Sequence, residues 1–235
     1  MRILVLGDIH GYTGTLDIPT IEVAVDIVNQ TDADFVLQVG DMGGYRHFSK
    51  PVYWIFGNND ALSMMKPAGL AAAASKNLFN VRTGEIVTFS DGEEQIRISG
   101  MNGAYDPLYI EYDREKLQDL GYFTESDVEK CLQLENIDIF LVHGCPSGLD
   151  LGREPDHAVP FIRAILDAVK PRYMFCGHGH FFKKAVHDGC QIYSLDLASK
   201  EYYVLDTRKD VFSINKIDAA RLPVIKQMTT SPFKR

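Results

Sequence analysis

The sequence lacks an excess of basic residues, long apolar runs and closely spaced cysteines. Its 24 lysines and arginines face 32 aspartates and glutamates, for a formal net charge of −8. That balance argues against tight nonspecific binding to long nucleic acid. Binding of a nucleotide or a short RNA end is still compatible with this negative charge, because bound divalent cations would make the local electrostatic potential positive. No uninterrupted apolar stretch approaches the length of a membrane span, so we expect no membrane partner.

The four cysteines are dispersed and form no Cys-x-x-Cys pair: they are Cys131, Cys145, Cys176 and Cys190. This spacing favours free thiols in a reducing compartment over a disulfide framework. The N-terminal segment Met-Arg-Ile-Leu-Val-Leu-Gly begins directly with a strand pattern and is too short for a signal peptide. We therefore expect a cytoplasmic protein.

Nucleotide-binding motifs and repeats are also missing. No Gly-x-x-x-x-Gly-Lys-Ser/Thr motif is present, and Gly7-Asp-Ile-His-Gly11 is not a dinucleotide fingerprint. The 235 residues allow one large domain or two small ones, and two layered sheets would use the length as one. We expect a single domain over 1–235, with a small cap or insert at 100–123 and a β-rich end with a tail at 200–235.

Alternating apolar segments predict strands that are separated by helices. Arg2 to Gly7, Phe35 to Val39 and Val52 to Phe56 have the pattern of buried strands, and Thr20 to Gln30 that of an amphipathic helix with Thr20 as N-cap. This βαβ arrangement is typical of a sheet that is covered on both faces.

The later chain is richer in short strands. Residues 61–76 are helix-prone but broken near Pro67, and Asp91-Gly92 predicts a hairpin turn. Thr124 is the expected N-cap of a helix that ends near Glu135, and a further helix is expected from His157 to Lys170. The remaining predicted strands are 81–83, 85–89, 95–99, 137–142, 173–176, 191–195, 202–205 and 211–215.

Five predicted strands are followed directly by similar short motifs, in which glycine stands beside Asp, Asn or His. These endings are Gly7-Asp-Ile-His10, Gly40-Asp41, Gly57-Asn-Asn-Asp60, His143-Gly144 and Gly177-His-Gly-His180. Ligands gather outside the carboxyl ends of strands in α/β sheets, so the endings can converge on one site. The donors are too many for one zinc ion. Carboxylate, amide and imidazole ligands suit two ions of Mn, Fe, Zn or Ni, with Mn favoured.

The ordered set resembles the calcineurin-like metallophosphoesterase superfamily, whose pattern is Asp-x-His, Gly-Asp, Gly-Asn-His-Asp/Glu, His and Gly-His-x-His. The resemblance implies a four-layer α/β/β/α sandwich of two packed mixed β-sheets flanked by helices. It also implies a dinuclear centre, in which hydroxide between the ions attacks phosphorus in line with the leaving oxygen. Asp41 would bridge the ions, and the other ligands would be Asp8, His10 and His180 on one ion and Asn58, His143 and His178 on the other.

A looser similarity points to the RNA lariat debranching enzyme branch and its prokaryotic relatives. It rests on the segments Gly40 to His47, Pro51 to Asn58, Phe123 to Glu125 and Ile137 to Pro146. The eukaryotic enzymes of that branch carry Cys in place of the first Asp, whereas this chain keeps Asp8 and lacks their long extensions. The similarity implies phosphodiester chemistry without specifying the substrate.

Asn59 is the main departure from the family pattern, which has a His there that protonates the leaving group or contacts the phosphate. In the family the following acid, here Asp60, orients that His. An Asn cannot act as a general acid near neutral pH. Three alternatives stay open: a leaving group that needs no acid, a proton from another residue, with His47 as first candidate, or binding without turnover.

Other residues carry weaker predictions. Arg46 is a candidate phosphate clamp or a solvated loop residue. Asn102 and Tyr105 are candidates to line the pocket, and the tyrosines of 105–122 either stack a base or pack in a cap. His157 is expected to be structural and His187 to lie in a hairpin. Cys145 is not expected to be a nucleophile, because two metals would already activate water.

These observations together favour a dinuclear metal-dependent phosphoesterase. A phosphodiesterase acting on nucleotides or short RNA or DNA is favoured over a monoesterase. The alternative is a metal-binding or scaffold protein on the same fold with little turnover, because of Asn59. Two roles stay open for the apolar, β-rich C-terminal region: closing the second sheet, or mediating a homodimer.

Overall fold

The computed structural model describes residues 1–13, 18–107, 110, 121–152 and 159–217. Several predictions fall outside these ranges, namely those on His157, on Tyr109 and Tyr112, on most of the 100–123 insert and on the tail from 218. Among the described helices, none has both the length and the apolar character that crossing a membrane requires.

Most described strands belong to two six-stranded sheets. In chain order the strands are β1 (Arg2–Leu6), β2 (Tyr12–Thr13), β3 (Ile18–Pro19), β4 (Phe35–Gln38), β5 (Val52–Trp54), β6 (Leu78–Asn80), β7 (Val87–Ser90), β8 (Gln95–Met101), β9 (Ile139–Val142), β10 (Tyr173–Cys176), β11 (Lys183–His187), β12 (Cys190–Ser194), β13 (Glu201–Asp206) and β14 (Val211–Lys216). Sheet 1 has the order β14-β13-β1-β4-β5-β6, and sheet 2 has the order β11-β12-β10-β9-β8-β7. The small β2–β3 ribbon is separate.

Both sheets are mixed, with parallel centres. Strands β1, β4, β5 and β6 are parallel to one another, and β13 and β14 continue sheet 1 antiparallel. In sheet 2, β8, β9, β10 and β12 are parallel, while β7 and β11 form antiparallel edges. Parallel strands point their carboxyl ends to the same edge of a sheet. Each sheet therefore has one edge at which loop residues can converge.

Helices cover the outer faces. The described helices are α1 (Thr20–Gln30), a 3₁₀ helix (Leu62–Met65), α2 (Pro67–Ala74), α3 (Glu125–Leu132) and α4 (Pro160–Val169). One apolar cluster packs α1 and α2 on sheet 1, a second packs α3 and α4 on sheet 2, and a third lies between the sheets. Three cores separating four layers confirm the predicted α/β/β/α sandwich.

Local sequence signals explain several element boundaries. At the start of α3, the Asp127 carboxylate accepts the backbone N–H of Thr124 at 3.0 Å, which confirms Thr124 as N-cap. The prediction for Thr20 is wrong by one residue: Pro19 is the N-cap, and Thr20 is already helical. Pro19 supplies the extended backbone that precedes the first helical turn.

Two differences concern short strands. Strand β11 is not predicted by the sequence, because its exposed lysines and alternating burial are features of an edge strand rather than of a buried run. The strand expected at 81–83 lies instead at Leu78–Asn80, slightly earlier in the chain. The hairpin predictions hold: Asp91-Gly92 joins β7 to β8, and His187 pairs with Cys190 at the β11–β12 turn. None of the four cysteines forms a disulfide, and all four are buried.

The sandwich brings the polar strand endings together from both sheets. The backbone N–H groups of Ile9 and His10 donate to Asp41 O at 2.9 and 3.1 Å, joining the loops after β1 and β4. The N–H of Gly177 donates to His143 O at 3.0 Å, joining the loops after β10 and β9. Three endings come from sheet 1 and two from sheet 2, so the site spans the gap between the sheets.

Candidate metal centre

The first set of candidate ligands, which we call the outer group, consists of Asp8, His10 and His180. His180 Nε2 lies 2.9 Å from Asp8 Oδ2 and 3.1 Å from His10 Nε2. His10 Nε2 lies 3.8 Å from Asp8 Oδ2. The side chains of His10 and His180 are 27% and 25% exposed, whereas Asp8 is buried. One carboxylate oxygen and two imidazole nitrogens therefore point at a common position.

The second set, the inner group, consists of Asp41, Asn58 and His143. His143 Nε2 lies 3.4 Å from Asp41 Oδ2 and 3.2 Å from Asn58 Oδ1. Asp41 and His143 are fully buried. Asp41 Oδ2 is also 3.6 Å from His10 Nε2, so this carboxylate lies between the two groups. Its position is compatible with a bridging ligand, and the bridging role stays a prediction.

A backbone carbonyl determines the tautomer of His143. The Val39 oxygen lies 2.9 Å from Nδ1, and a carbonyl can only accept, so Nδ1–H is the donor. The remaining nitrogen, Nε2, faces Asp41 and Asn58. A neutral His143 would thus present an Nε2 lone pair, the arrangement of a metal-ligating histidine whose other nitrogen donates to a carbonyl.

The carboxylates favour protonated imidazoles in the metal-free protein. Burial by itself would lower the pKa of His143, but the Asp41 carboxylate 3.4 Å away and the charge of Asp8 raise it to about 9. The nearby Asp8 carboxylate raises the pKa of His10. Burial would raise the pKa of Asp8, yet the nearby imidazoles of His10 and His180 hold it well below the usual range. Asp8 and Asp41 are therefore ionised near neutral pH.

Glycines bring the backbone close enough for the inner group to form. A Cβ at Gly57 would collide with Asp41 Oδ1 and would lie 2.7 Å from His143 Nε2. Gly40 has a φ of +99°, and a Cβ there would lie 2.6 Å from His143 Nδ1. These two positions exclude any side chain, so the Gly-Asp and Gly-Asn motifs have a steric cause.

Three candidate ligands have strained backbones. Asp41, His178 and His180 have φ values of 59°, 62° and 57°, in the left-handed region that few non-glycine residues adopt. Each such residue costs about 1–3 kcal/mol and persists where surrounding contacts enforce it. Three of the nine described non-glycine residues with positive φ are thus candidate ligands, and these three lie in the turns that carry the site.

Asp60 ties two of the loops together. Its Oδ2 accepts the N–H groups of Asp41 at 2.9 Å and of Gly57 at 2.8 Å. Its Oδ1 accepts the N–H of Met42 at 2.9 Å and the hydroxyl of Tyr45 at 3.1 Å. Burial raises the pKa of this carboxyl to about 6. Asp60 therefore braces the loops after β4 and β5, and contacts backbone where the family pattern implies a histidine partner.

Asn59 contacts Asp41 directly. Its backbone N–H donates to Asp41 Oδ1 at 2.8 Å, and its side-chain Nδ2 donates to Asp41 Oδ2 at 2.7 Å. The residue is otherwise exposed. The sequence pattern identifies this position but not its partner.

His178 lies on the open side of the centre. Its ring centroid is 5.0 Å from that of His143, and its backbone N–H donates to Asp8 Oδ1 at 3.1 Å. Burial lowers the pKa of His178. A cavity of about 340 Å³ opens here, lined by Asp41, Asn59, Cys145, Gly152, Gly177, His178, Gly179 and His180.

The loop after β4 holds Arg46 and His47 at the surface. Arg46 is exposed, and its Nε donates to Glu22 Oε1 on α1 at 2.7 Å. His47 is also exposed. Neither lines the described cavity, and their proposed roles as clamp and proton donor stay predictions.

Asn102 has a different position from the one expected. It is buried, accepts the N–H of Phe56 at 2.8 Å and donates to Val81 O at 2.7 Å. It thus supports the backbone just before Gly57 and does not line the cavity. Tyr105 packs against Phe123 and Phe161, with ring centroids 5.9 and 5.7 Å away. The sequence does not predict this supporting role of Asn102, because its hydrogen-bond partners are remote in the chain.

The donor set fits divalent cations. Within the described residues, Asp8, His10 and His180 offer ligand atoms within 4.8 Å of one another, and so do Asp8, Asp41 and His143. Atoms bound at about 2.0–2.2 Å to one ion lie about 3–3.5 Å apart, close to the separations found here. Carboxylate oxygens mixed with imidazole nitrogens are ligands of Mn, Fe, Zn and Ni. The residues present are therefore suited to hold such ions.

Comparison with known protein families gives one match that spans most of the chain. Residues 1–182 match the model of the calcineurin-like phosphoesterase family. This range includes every residue of the outer and inner groups and His178. A search of curated proteins finds no match.

Solved structures share the fold at low sequence identity. The protein TT1561 of Thermus thermophilus has a TM-score of 0.65 at 16% identity, covering 92% of this chain and 99% of that one. A candidate 5′-nucleotidase from Staphylococcus aureus, in complex with α-ketoglutarate, has a TM-score of 0.56 at 14% identity over 92% of this chain and 52% of its own. GAP50, the anchor in the inner membrane complex of Plasmodium, has a TM-score of 0.51 at 9% identity, covering 93% of this chain and 89% of that one. At these identities the likeness concerns the fold alone.

Proposed function

The chain belongs to the calcineurin-like phosphoesterase family, and on that premise we propose that it is a dinuclear metal-dependent phosphodiesterase. The observation that carries the proposal is the convergence of two carboxylates, one amide and four imidazoles, from five strand ends, beside one cavity. Perturbed titratable groups clustered at a cavity are typical of active sites.

The residues divide into two ligand sets that share one member. One ion would be held by the outer group, the other by Asn58, His143 and His178, with Asp41 shared between them. When bound, two divalent cations would polarise the phosphate oxygens and supply a hydroxide nucleophile at neutral pH. Manganese is favoured because hard carboxylate and amide oxygens are mixed with imidazoles.

The protein's own contribution is orientation. Val39 O holds His143 in the tautomer that leaves Nε2 free, and Asp60 fixes the two loops that carry Asp41 and Asn58. The Asp8 carboxylate accepts the backbone N–H of His178 and so holds the turn at that residue. A centre assembled in this way needs little rearrangement during the reaction, which is the main source of electrostatic catalysis.

Diester substrates are supported by the similarity to the lariat debranching branch, and the net charge of −8 favours nucleotides or short nucleic acids over long ones. Asn59 bears on the leaving group, because an amide cannot deliver a proton near neutral pH. A panel of monoesters, cyclic nucleotides and 2′,5′- and 3′,5′-linked dinucleotides would identify the substrate class.

The proposal is tested with bis-p-nitrophenyl phosphate and added Mn²⁺. The wild-type protein should hydrolyse the diester, and Asp41→Ala and His178→Ala should abolish the reaction. Asp32→Ala, on a carboxylate that is 93% exposed, and His187→Ala, in the β11–β12 hairpin, are the matched controls. Unimpaired turnover in pure Asp41→Ala and His178→Ala proteins would refute the proposal.

A second candidate is a metal-binding protein of the same fold with little turnover. The observation that favours it is Asn59, whose amide donates to Asp41 and offers no transferable proton. Stoichiometric metal content without turnover on the whole substrate panel would support this alternative over the enzyme.

A further inference from the structure

Asn59 caps both oxygens of one buried carboxylate. The backbone N–H reaches Asp41 Oδ1 at 2.8 Å and the side-chain Nδ2 reaches Asp41 Oδ2 at 2.7 Å. Both lengths are those of strong, charge-assisted hydrogen bonds. A carboxylate held at both oxygens by one residue has little freedom to rotate.

The backbone of Asp41 is already held by other residues. Its N–H donates to Asp60 Oδ2 at 2.9 Å, and its carbonyl accepts the N–H groups of Ile9 and His10 at 2.9 and 3.1 Å. These contacts enforce the left-handed φ of 59°. The side-chain torsions of Asp41 are then the remaining freedom, and Asn59 acts on them.

The amide of Asn59 is suited to this task. Its NH₂ group is a donor at every pH, whereas an imidazole changes its donors when it titrates. Asn59 also follows the candidate ligand Asn58 directly, so its N–H bond to Asp41 couples the placement of two inner-group residues. Outer contacts of this kind orient metal ligands, and losing one commonly costs about 10–100-fold in metal affinity.

We propose that Asn59 is a positioning residue, which orients the Asp41 carboxylate for divalent-cation binding through its two hydrogen bonds. The inference rests on the proposed function, since it assumes that Asp41 is a ligand. It assigns position 59 a role in assembling the centre rather than in protonating a leaving group.

The test compares Asn59→Ala with Asn29→Ala, a matched exposed asparagine on α1. Mn²⁺ affinity is measured by titration calorimetry of the metal-free proteins, without substrate, after circular dichroism has confirmed folding. Asn59→Ala keeps the backbone bond and loses the side-chain bond, so its affinity should fall about 10–100-fold, while Asn29→Ala matches the wild type. Diester hydrolysis by Asn59→Ala should fall at limiting Mn²⁺ and recover at saturating Mn²⁺.

The outcomes separate the two levels of inference. A wild-type protein that binds no Mn²⁺ would overturn the proposed function and this role with it. A wild type that binds Mn²⁺ together with an Asn59→Ala variant of equal affinity would overturn the positioning role alone. A rate loss that persists at saturating Mn²⁺ and grows with the pKa of the leaving group would also overturn it, because Asn59 would then act on the leaving group.

Discussion

The outer and inner groups both combine a carboxylate with imidazole, and the inner group adds an amide, but the two groups are held differently. In the outer group the imidazoles of His10 and His180 are about a quarter exposed and contact each other and Asp8. In the inner group His143 is fully buried and is oriented by Val39 O, while Asp41 is held by Asn59. The outer ligands are thus oriented mainly by contacts with one another, whereas the inner ligands are oriented by other residues of the protein.

In the proposed dinuclear centre, this difference predicts unequal affinities for the two ions. A ligand set that is fixed before binding loses less conformational freedom when the metal arrives. The inner group should therefore bind its ion more tightly and depend more on neighbouring residues. Substitutions that remove those neighbouring residues test whether the two groups differ in this way.

The largest effect is expected for Asp60→Ala. The substitution leaves the buried N–H groups of Asp41, Met42 and Gly57 without their acceptor, each at a cost of about 1–3 kcal/mol. The free energy of unfolding should fall by at least about 3 kcal/mol, as measured by urea denaturation. Asp60→Asn keeps one acceptor oxygen and should recover part of the loss. Equal stability of Asp60→Ala and wild type would show that the inner group needs no such brace.

His143→Ala and His180→Ala compare the two groups directly. Removing His143 leaves the buried Asp41 without its imidazole partner, a loss of about 3–5 kcal/mol for a buried pair. Removing His180, which is a quarter exposed, should cost less, because the buried Asp8 keeps the backbone N–H of His178 at 3.1 Å and His10 Nε2 at 3.8 Å. Thermal and urea unfolding of the metal-free variants would measure both. A larger loss of unfolding free energy for His180→Ala than for His143→Ala would contradict the conclusion that the inner group is the more firmly held one.

The pH dependence follows from His143. Its pKa of about 9 in the folded protein lies above the ordinary value of 6.5, so the stabilisation is complete below about pH 6.5 and is lost as the pH rises through about 9. The melting temperature of the metal-free protein should therefore decline over this range. Because ligation needs a neutral imidazole, Mn²⁺ affinity should rise up to about tenfold per pH unit for each proton released. An affinity that is flat between about pH 6.5 and 9 would contradict the protonated state of His143.

The smallest effect is expected for Asn59→His, which restores the family residue beside the inner group. At saturating Mn²⁺, rates should rise by about tenfold or less, mainly on alkyl diesters whose leaving groups need a proton. Rates of nitrophenyl esters, with good leaving groups, are the internal control. An equal change on both substrate classes would argue against a proton-donor function for that histidine.

Much of the site is predictable because its signals are local. Strand β10 and helix α1 have the predicted bounds, Tyr173–Cys176 and Thr20–Gln30, since an apolar run and a helical period each lie within one segment. Gly40 and Gly57 stand beside Asp41 and Asn58 in the sequence, and their close approach to His143 explains why no other residue serves there. The placement of polar residues just after buried strands is likewise visible in the chain.

The partners of individual side chains are not predictable. Arg46 pairs with Glu22, which lies 24 residues away in the chain, and Asn102 bonds Phe56 across 46 residues. The family pattern predicts that Asp60 orients a catalytic residue, but its oxygens accept backbone N–H groups from two loops. Such contacts depend on how the loops pack, and the spacing of residues along the chain carries no information about that.

The sequence by itself determined the strand endings, their order and the chemistry of their side chains, because apolar runs and glycines act over a few residues. Only the tertiary structure decided that three endings belong to one sheet and two to the other, and that Asn59 meets Asp41. The physical reason is that the centre forms where two sheets pack face to face. Burial, hydrogen-bond partners and pKa values there arise from groups that are remote in the chain and adjacent in space.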